Sequence, residues 1–288
     1  MQLPIPTPDN DFVPLPATGR LAEWLDGRRR VTVLTGAGCS AASGIPVYRD
    51  DAGCWMRKPP VQFAAFVGDA VTRARYWARS LAGWERFANA RPNDAHAALV
   101  RLEAAGRVDG IITQNVDGLH QRAGSRAVVD LHGRLDQVQC LNCSSSLPRA
   151  EFQVLLEARN PDWTALSANM APDGDADLEN LDFAAFDVPA CAHCGGIVKP
   201  AVVFFGEAVP PGRAADALAR VTGSDALLVV GSSLMVWSGF RLVRAATERG
   251  IPVAAINLGD TRADALLSLK VSARCDEILP ALAEQLAA

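Results

Sequence analysis

The chain predicts an α/β fold, a parallel sheet with helices on both faces plus a smaller domain inserted at two places. Strand-like runs at Val31 to Leu34, Val108 to Thr113, Val198 to Phe205, Ala226 to Val230 and Pro252 to Asn257 alternate with helical segments. Apolar runs of this kind have no polar alternate face, so each strand needs helices on either side. The first run ends in Thr35-Gly36-Ala37-Gly38-Cys39-Ser40, and glycines without a Cβ let backbone N–H groups approach a pyrophosphate at a helix start. Two long segments, Asp51 to Pro92 and Gln139 to Gly196, interrupt the alternation and exceed simple crossovers. The core is therefore Rossmann-type; the first interruption is expected to form a helical subdomain of its own, and the second contains two cysteine pairs.

Taken in order, residues 1–16 hold five prolines with Asp9 and Asp11 and read as a flexible arm. The first 19 residues contain no Lys or Arg, which argues against a secretory leader or an Arg-rich transit peptide and for a cytoplasmic protein. Arg28-Arg29-Arg30 reads as a solvated helix end before the first strand. The core is assigned to 17–52, 94–138 and 197–288, the helical module to 53–93 and the zinc module to 139–196. The helical module carries Trp55, Phe63, Phe66, Tyr76, Trp77, Trp84 and Phe87, enough aromatic surface for a core of its own. Within the zinc module, the acidic stretch Asp173 to Asp187 reads as a surface loop.

With 288 residues and 49% apolar content, the chain can bury a substantial core. A net charge of -4 argues against a nucleic-acid surface, which needs clustered Lys and Arg. No apolar stretch approaches the roughly 18 residues that cross a bilayer, so no membrane partner is expected. The oligomeric state stays open, a monomer among the options. Of seven cysteines, Cys140, Cys143, Cys191 and Cys194 form two C-x-x-C knuckles. Four thiolates satisfy tetrahedral zinc with no open position, so one Zn2+ per chain would be structural. Cys39, Cys54 and Cys275 read as small packing residues.

Taken alone, Gly36-Ala37-Gly38 also fits a plain strand-to-helix turn. The later segments are less generic: Ile111-Ile112-Thr113-Gln114-Asn115-Val116-Asp117-Gly118-Leu119-His120, Leu131-His132-Gly133, the cysteine pairs, Gly231-Ser232-Ser233 and Ile256-Asn257-Leu258. In this order, over roughly residues 20 to 282, they resemble the sirtuins, NAD-dependent protein deacylases. Arg75-Tyr76-Trp77-Ala78-Arg79, Val202 to Glu207 and Gly231 to Leu234 resemble the class II branch.

The resemblance implies a large Rossmann-type domain with one smaller domain assembled from the zinc-binding module and the helical module, NAD as co-substrate and acyl-lysine proteins as partners. Gly36, Ala37, Gly38, Ser40, Ile45, Pro46, Tyr48 and Arg49 would hold the phosphates and ribose, with Gln114, Asn115 and Asp117 around the nicotinamide ribose and carboxamide. Gly231, Ser232, Ser233, Asn257, Leu258, Gly259 and Cys275 would face the adenosine half. His132 would be the catalytic base, assisted by Asn115 and Asp117; an imidazole does this near neutral pH without a large pKa shift. In the implied mechanism the acyl oxygen attacks C1′ as nicotinamide leaves, giving an alkylimidate. His132 then activates the 2′-hydroxyl through the 3′-hydroxyl, and the products are free lysine, nicotinamide and 2′-O-acyl-ADP-ribose. Of the other histidines, His120 is expected to pack or cap a helix, His96 to be helical and His193 exposed.

Val202 to Glu207 would be the edge against which a peptide adds as a strand, with Val203, Phe204, Phe205, Gly206 and Glu207 contacting it and Val203 and Phe205 walling the lysine tunnel. Tyr76 and Arg79 share a helix face. Read plainly they are a core-edge aromatic and a solvated charge; by resemblance to the Tyr-x-x-Arg pair of desuccinylating sirtuins they would hold an acyl carboxylate. Val47 and Tyr48 stand where many members carry Asp and Phe, which puts nicotinamide exchange and inhibition in doubt. Two alternative functions remain open, a protein mono-ADP-ribosyltransferase and an NAD-binding regulatory subunit with little turnover.

Overall fold

The computed structural model describes residues 17–50, 54–56, 60–164, 178 and 181–286. The expected flexible arm, and most of the acidic stretch from 173 to 180, lie outside them. Among the described residues there are nine strands, β1 (Val31–Thr35), β2 (Val108–Thr113), β3 (Val128–Asp130), β4 (Gly133–Cys140), β5 (Ser146–Pro148), β6 (Val198–Val202), β7 (Ala226–Val230), β8 (Val253–Ile256) and β9 (Leu269–Val271). The helices are α1 (Ala17–Leu25), α2 (Ala37–Ser40), α3 (Phe63–Gly68), α4 (Ala70–Asn89), α5 (Asp94–Ala104), α6 (Leu119–Ala123), α7 (Arg149–Arg159), α8 (Pro211–Thr222), α9 (Trp237–Thr247) and α10 (Cys275–Leu286).

Six strands form a parallel sheet in the order β3-β2-β1-β7-β8-β9. Every residue of β1, β7 and β8 is buried, as a sheet covered on both faces requires. One face packs against α1, α5 and α10 through Leu21, Leu99 and Leu279, the other against α8 and α9 through Val221 and Leu242. The chain leaves β1 in opposite directions to reach β2 and β7, and their carboxyl ends border a crevice at that switch point.

Pairing corrects one expectation. The run from Val198 to Phe205 does not join the parallel sheet: its strand stops at Val202 and pairs antiparallel with β4 in a second sheet, β5-β4-β6. This pairing crosses the expected module borders at 138/139 and 196/197. The β4–β6 approach is very close at Gly133, whose φ is +80° and where a Cβ would lie 2.1 Å from the Ala201 carbonyl oxygen. The parallel sheet is instead completed by β3 and β9, three residues each and too short to show a period.

The small domain has a core of its own, in which Trp77 and Phe66 of α4 and α3 meet Phe152 of α7 and Val138 and Val198 of the small sheet. Asp69 caps α4 by accepting from Val71 and Thr72 N–H. The described part of the acidic stretch is not a simple surface loop, because Leu178, Phe183 and Phe186 are buried in this core. Cys39 and Cys275 are buried packing residues as expected, whereas Cys54 is exposed.

Candidate functional site

At the switch point, the turn after β1 lies against the turn after β7. Gly36 N–H donates to the Val230 carbonyl (3.0 Å) and Gly38 N–H to the Gly231 carbonyl (2.9 Å). A Cβ at Gly38 would fall 2.9 Å from Gly231 Cα, so this approach excludes any side chain there. From β2 comes a polar set: Asn115 Nδ2 donates to the Gly36 carbonyl and to Ser40 Oγ (both 3.0 Å), and Ser40 Oγ donates to Asp117 Oδ2 (2.7 Å). Asp117 Oδ1 accepts from Leu119 N–H (2.9 Å). Burial raises the Asp117 pKa, and these hydrogen bonds oppose the rise.

His132 follows β3 and precedes β4. Its Nδ1 is 2.9 Å from the Gln114 carbonyl oxygen, and its Nε2 is 2.7 Å from Ser238 Oγ. Desolvation draws its pKa down to about 4, against the opposing pull of the Gln114 carbonyl. The expectation of an imidazole without a large shift is thereby corrected: the ring is neutral at pH 7, the form a base requires. His120 is buried in α6 with Nε2 2.9 Å from Thr35 Oγ1, His96 lies in α5 within the Asn93 capping box, and His193 is exposed.

The segment after β6 is tied to this centre. Val203 N–H donates to the His132 carbonyl (2.8 Å), and Phe205 pairs with Gln62 of the helical module. Glu207 braces the segment from below: its carboxylate accepts from Phe204 N–H (2.8 Å) and faces the buried Lys199 ammonium (3.2 Å). Above it, Trp55 meets Phe205 at 5.7 Å between ring centroids, and the Arg49 guanidinium lies 3.9 Å from the Trp55 ring centre.

These elements enclose a cavity of about 710 Å³. Gly36, Ala37, Gly38, Ser40, Ile45, Pro46, Tyr48, Arg49, Gln114, Asn115, Asp117, His132, Val203 to Glu207, Gly231, Ser232, Ser233, Asn257, Leu258, Gly259 and Cys275 all line it. Tyr76 lines it too, its ring 5.2 Å from that of Phe204. Arg79, half-buried one turn further along α4, is not among the described lining residues. Sequence reasoning missed Trp55, Phe87, Leu135, Ser238 and Arg241 in the wall. Trp55 and Phe87 had an aromatic signal; Ser238 and Arg241 had none, because only the docking of α9 brings them in.

About 710 Å³, lined by glycine turns, amide and hydroxyl groups at strand ends and the Arg49 guanidinium, fits a dinucleotide. The knuckles fit zinc equally well. The four Sγ atoms lie within 4.8 Å of one another, with Cys140–Cys194 at 3.5 Å and Cys143–Cys191 at 3.7 Å. Zinc–sulfur bonds of about 2.3 Å in a tetrahedron place sulfurs roughly 3.8 Å apart. Backbone bonds within each knuckle, Ser144 N–H to the Cys140 carbonyl and Gly195 N–H to the Cys191 carbonyl, hold the thiols inward.

A family model described as the Sir2 family matches residues 36–238. The NAD-dependent protein deacetylase of Bordetella bronchiseptica is 61% identical over 90% of this chain and 94% of its own length. The human NAD-dependent protein lipoamidase sirtuin-4, mitochondrial, is 46% identical over 90% of this chain and 84% of its own. A solved Sir2–p53 peptide–NAD+ complex superposes with a TM-score of 0.73 at 26% identity, covering 92% of this chain and 97% of that one.

Proposed function

This chain belongs to the Sir2 family and is an NAD-dependent protein deacylase, and from that premise we propose how its residues divide the work. The observation that carries the reading is the neutral His132 imidazole in the cavity wall, held by Gln114 at Nδ1 and with Nε2 against Ser238 Oγ. NAD supplies the electrophilic C1′ and the ribose hydroxyls that take the acyl group. The glycine turns and Arg49 bind its phosphates and ribose, and Ser40, Asn115 and Asp117 shape the nicotinamide end through their mutual hydrogen bonds. His132 takes the proton from the ribose. The segment Val203 to Glu207, braced by Lys199, receives the peptide backbone alongside the acyl-lysine.

For the acyl chain we favour uncharged groups, because Val116, Leu135, Phe87, Tyr76 and Phe204 make that part of the wall apolar. The second reading, an acyl chain ending in a carboxylate, is supported by Tyr76 reaching the cavity one turn before Arg79. We also place the protein in the cytoplasm, since reduced zinc knuckles suit a reducing compartment. Among the described residues no helix is long and apolar enough to cross a membrane.

The experiment is a panel of acyl-lysine peptides incubated with NAD and read by mass spectrometry. The reading expects nicotinamide and acyl-ADP-ribose in equal amounts. ADP-ribose attached to protein without acyl-ADP-ribose would make the chain an ADP-ribosyltransferase, and no nicotinamide from any peptide would leave an NAD-binding subunit.

A further inference from the structure

The Gln114 carbonyl can only accept a hydrogen bond, so His132 Nδ1 carries the ring proton and Nε2 is a bare lone pair. The group 2.7 Å from that lone pair is Ser238 Oγ, which must therefore donate its hydrogen to Nε2. Ser238 lies in the cavity wall, in the first turn of α9. The helix start is packed against the end of β2: a Cβ on the next residue, Gly239, would fall 2.4 Å from Gln114 Oε1 and displace that amide, whose Nε2 donates to Ser232 Oγ and the Thr35 carbonyl. Ser238 Oγ has no second hydrogen-bond partner among the described residues, which leaves its own lone pairs for a donor inside the cavity. The N-terminus of α9 has no side-chain cap, and its positive end favours negative charge developing on that oxygen.

We propose that Ser238 is a catalytic proton relay between the ribose and His132, an inference that rests on the NAD site described above. As a ribose O–H bond breaks, its proton goes to Ser238 Oγ. Ser238's original proton goes to His132 Nε2, giving an imidazolium, and the ribose oxygen keeps the electron pair with which it attacks the acyl carbon. Ser238 ends the step as it began, a neutral hydroxyl.

The test is a rapid-quench single turnover of the full-length zinc-loaded enzyme with NAD and an acetyl-lysine peptide, following nicotinamide release and acyl-ADP-ribose formation separately. In Ser238→Ala the relay expects acyl transfer to slow at least about tenfold more than nicotinamide release. Ser238→Thr, which keeps the hydroxyl, restores the ratio of the two rates to within about threefold of wild type. In a His132→Ala background, Ser238→Ala costs nothing further, because groups acting as one unit are not additive. Equal slowing of both steps, no slowing, faster acyl transfer, or an additive loss in the double variant overturns the relay while the deacylase reading stands. A wild-type enzyme that releases no nicotinamide overturns both. NAD titration of each variant separates these outcomes from loss of the folded site.

Discussion

The carbonyl oxygen of Gln114 lies 2.9 Å from Nδ1 of His132, and this contact decides which ring nitrogen carries the proton. A backbone carbonyl cannot rotate away as a side chain can, so the tautomer is set by the end of β2 rather than by the ligand.

His132→Ala is therefore expected to lower acyl-ADP-ribose formation at least about 100-fold, the scale of a lost positioned base. The Gly36–Gly38 turn and Arg49 remain, so NAD affinity measured by titration should change little. Near wild-type turnover would remove His132 from the mechanism.

The sulfur arrangement predicts one tightly held Zn2+ per chain. Cys143→Ser should lose the metal and destabilise the β4–β6 sheet and its attached helices, because structural zinc contributes folding free energy directly. Elemental analysis of well-folded protein without stoichiometric zinc would refute the assignment.

Val47 lines the cavity beside Ile45 and Tyr48. A carboxylate there would add a hydrogen-bond partner for the nicotinamide carboxamide. Val47→Asp should increase inhibition by added nicotinamide at least about tenfold, because one new hydrogen bond to a charged group contributes about 1.5 to 3 kcal/mol. Unchanged inhibition constants would show that the carboxamide is held elsewhere.

His96 and His120 are buried, with pKa values lowered to about 4 and about 3, in both cases chiefly by desolvation. Both stay neutral in the fold, while the unfolded chain protonates them near 6.5. Stability from this source is present above pH 6.5 and is lost as pH falls toward 4, because the unfolded state then binds more protons. At pH 5 each costs about 2 kcal/mol relative to pH 8. Urea midpoints should fall over that range while imidazole NMR signals of the folded protein stay at neutral positions; protonated rings at pH 5 in folded protein would contradict this.

The apolar wall predicts that acetyl and longer uncharged acyl groups are removed faster than glutaryl-type ones. Arg79→Met should leave the ratio of the two activities unchanged, since Arg79 is not among the described lining residues. A selective loss of at least about tenfold on acidic acyl peptides, some 1.4 kcal/mol, would instead place the guanidinium against the acyl carboxylate.

Much of the cavity wall is legible in the sequence. Glycines, amides and carboxamides placed just after apolar runs are ligand groups wherever those runs are parallel strands, because such strands all end at the same edge. Gly36, Ser40, Gln114, Asn115, Ser232 and Asn257 all lie in the cavity wall at that edge. The cysteine pairs were equally legible, since two-residue spacing already puts two thiols on one ion. Tertiary structure alone decided the rest. Val198–Val202 is as apolar as a core strand, but its partner, β4, is chosen by the close approach at Gly133, which no local period records. Tyr76 and Arg79 share a helix face in the sequence, yet only packing against Phe66 and Phe204 turns the first into the cavity wall without the second. Ser238 met His132, 106 residues away, only when α9 docked, and burial then moved the imidazole far from its solution pKa. Local spacing encodes what a strand end or a knuckle can hold. Which distant groups meet, and how dry they become, depends on the packing of the whole chain.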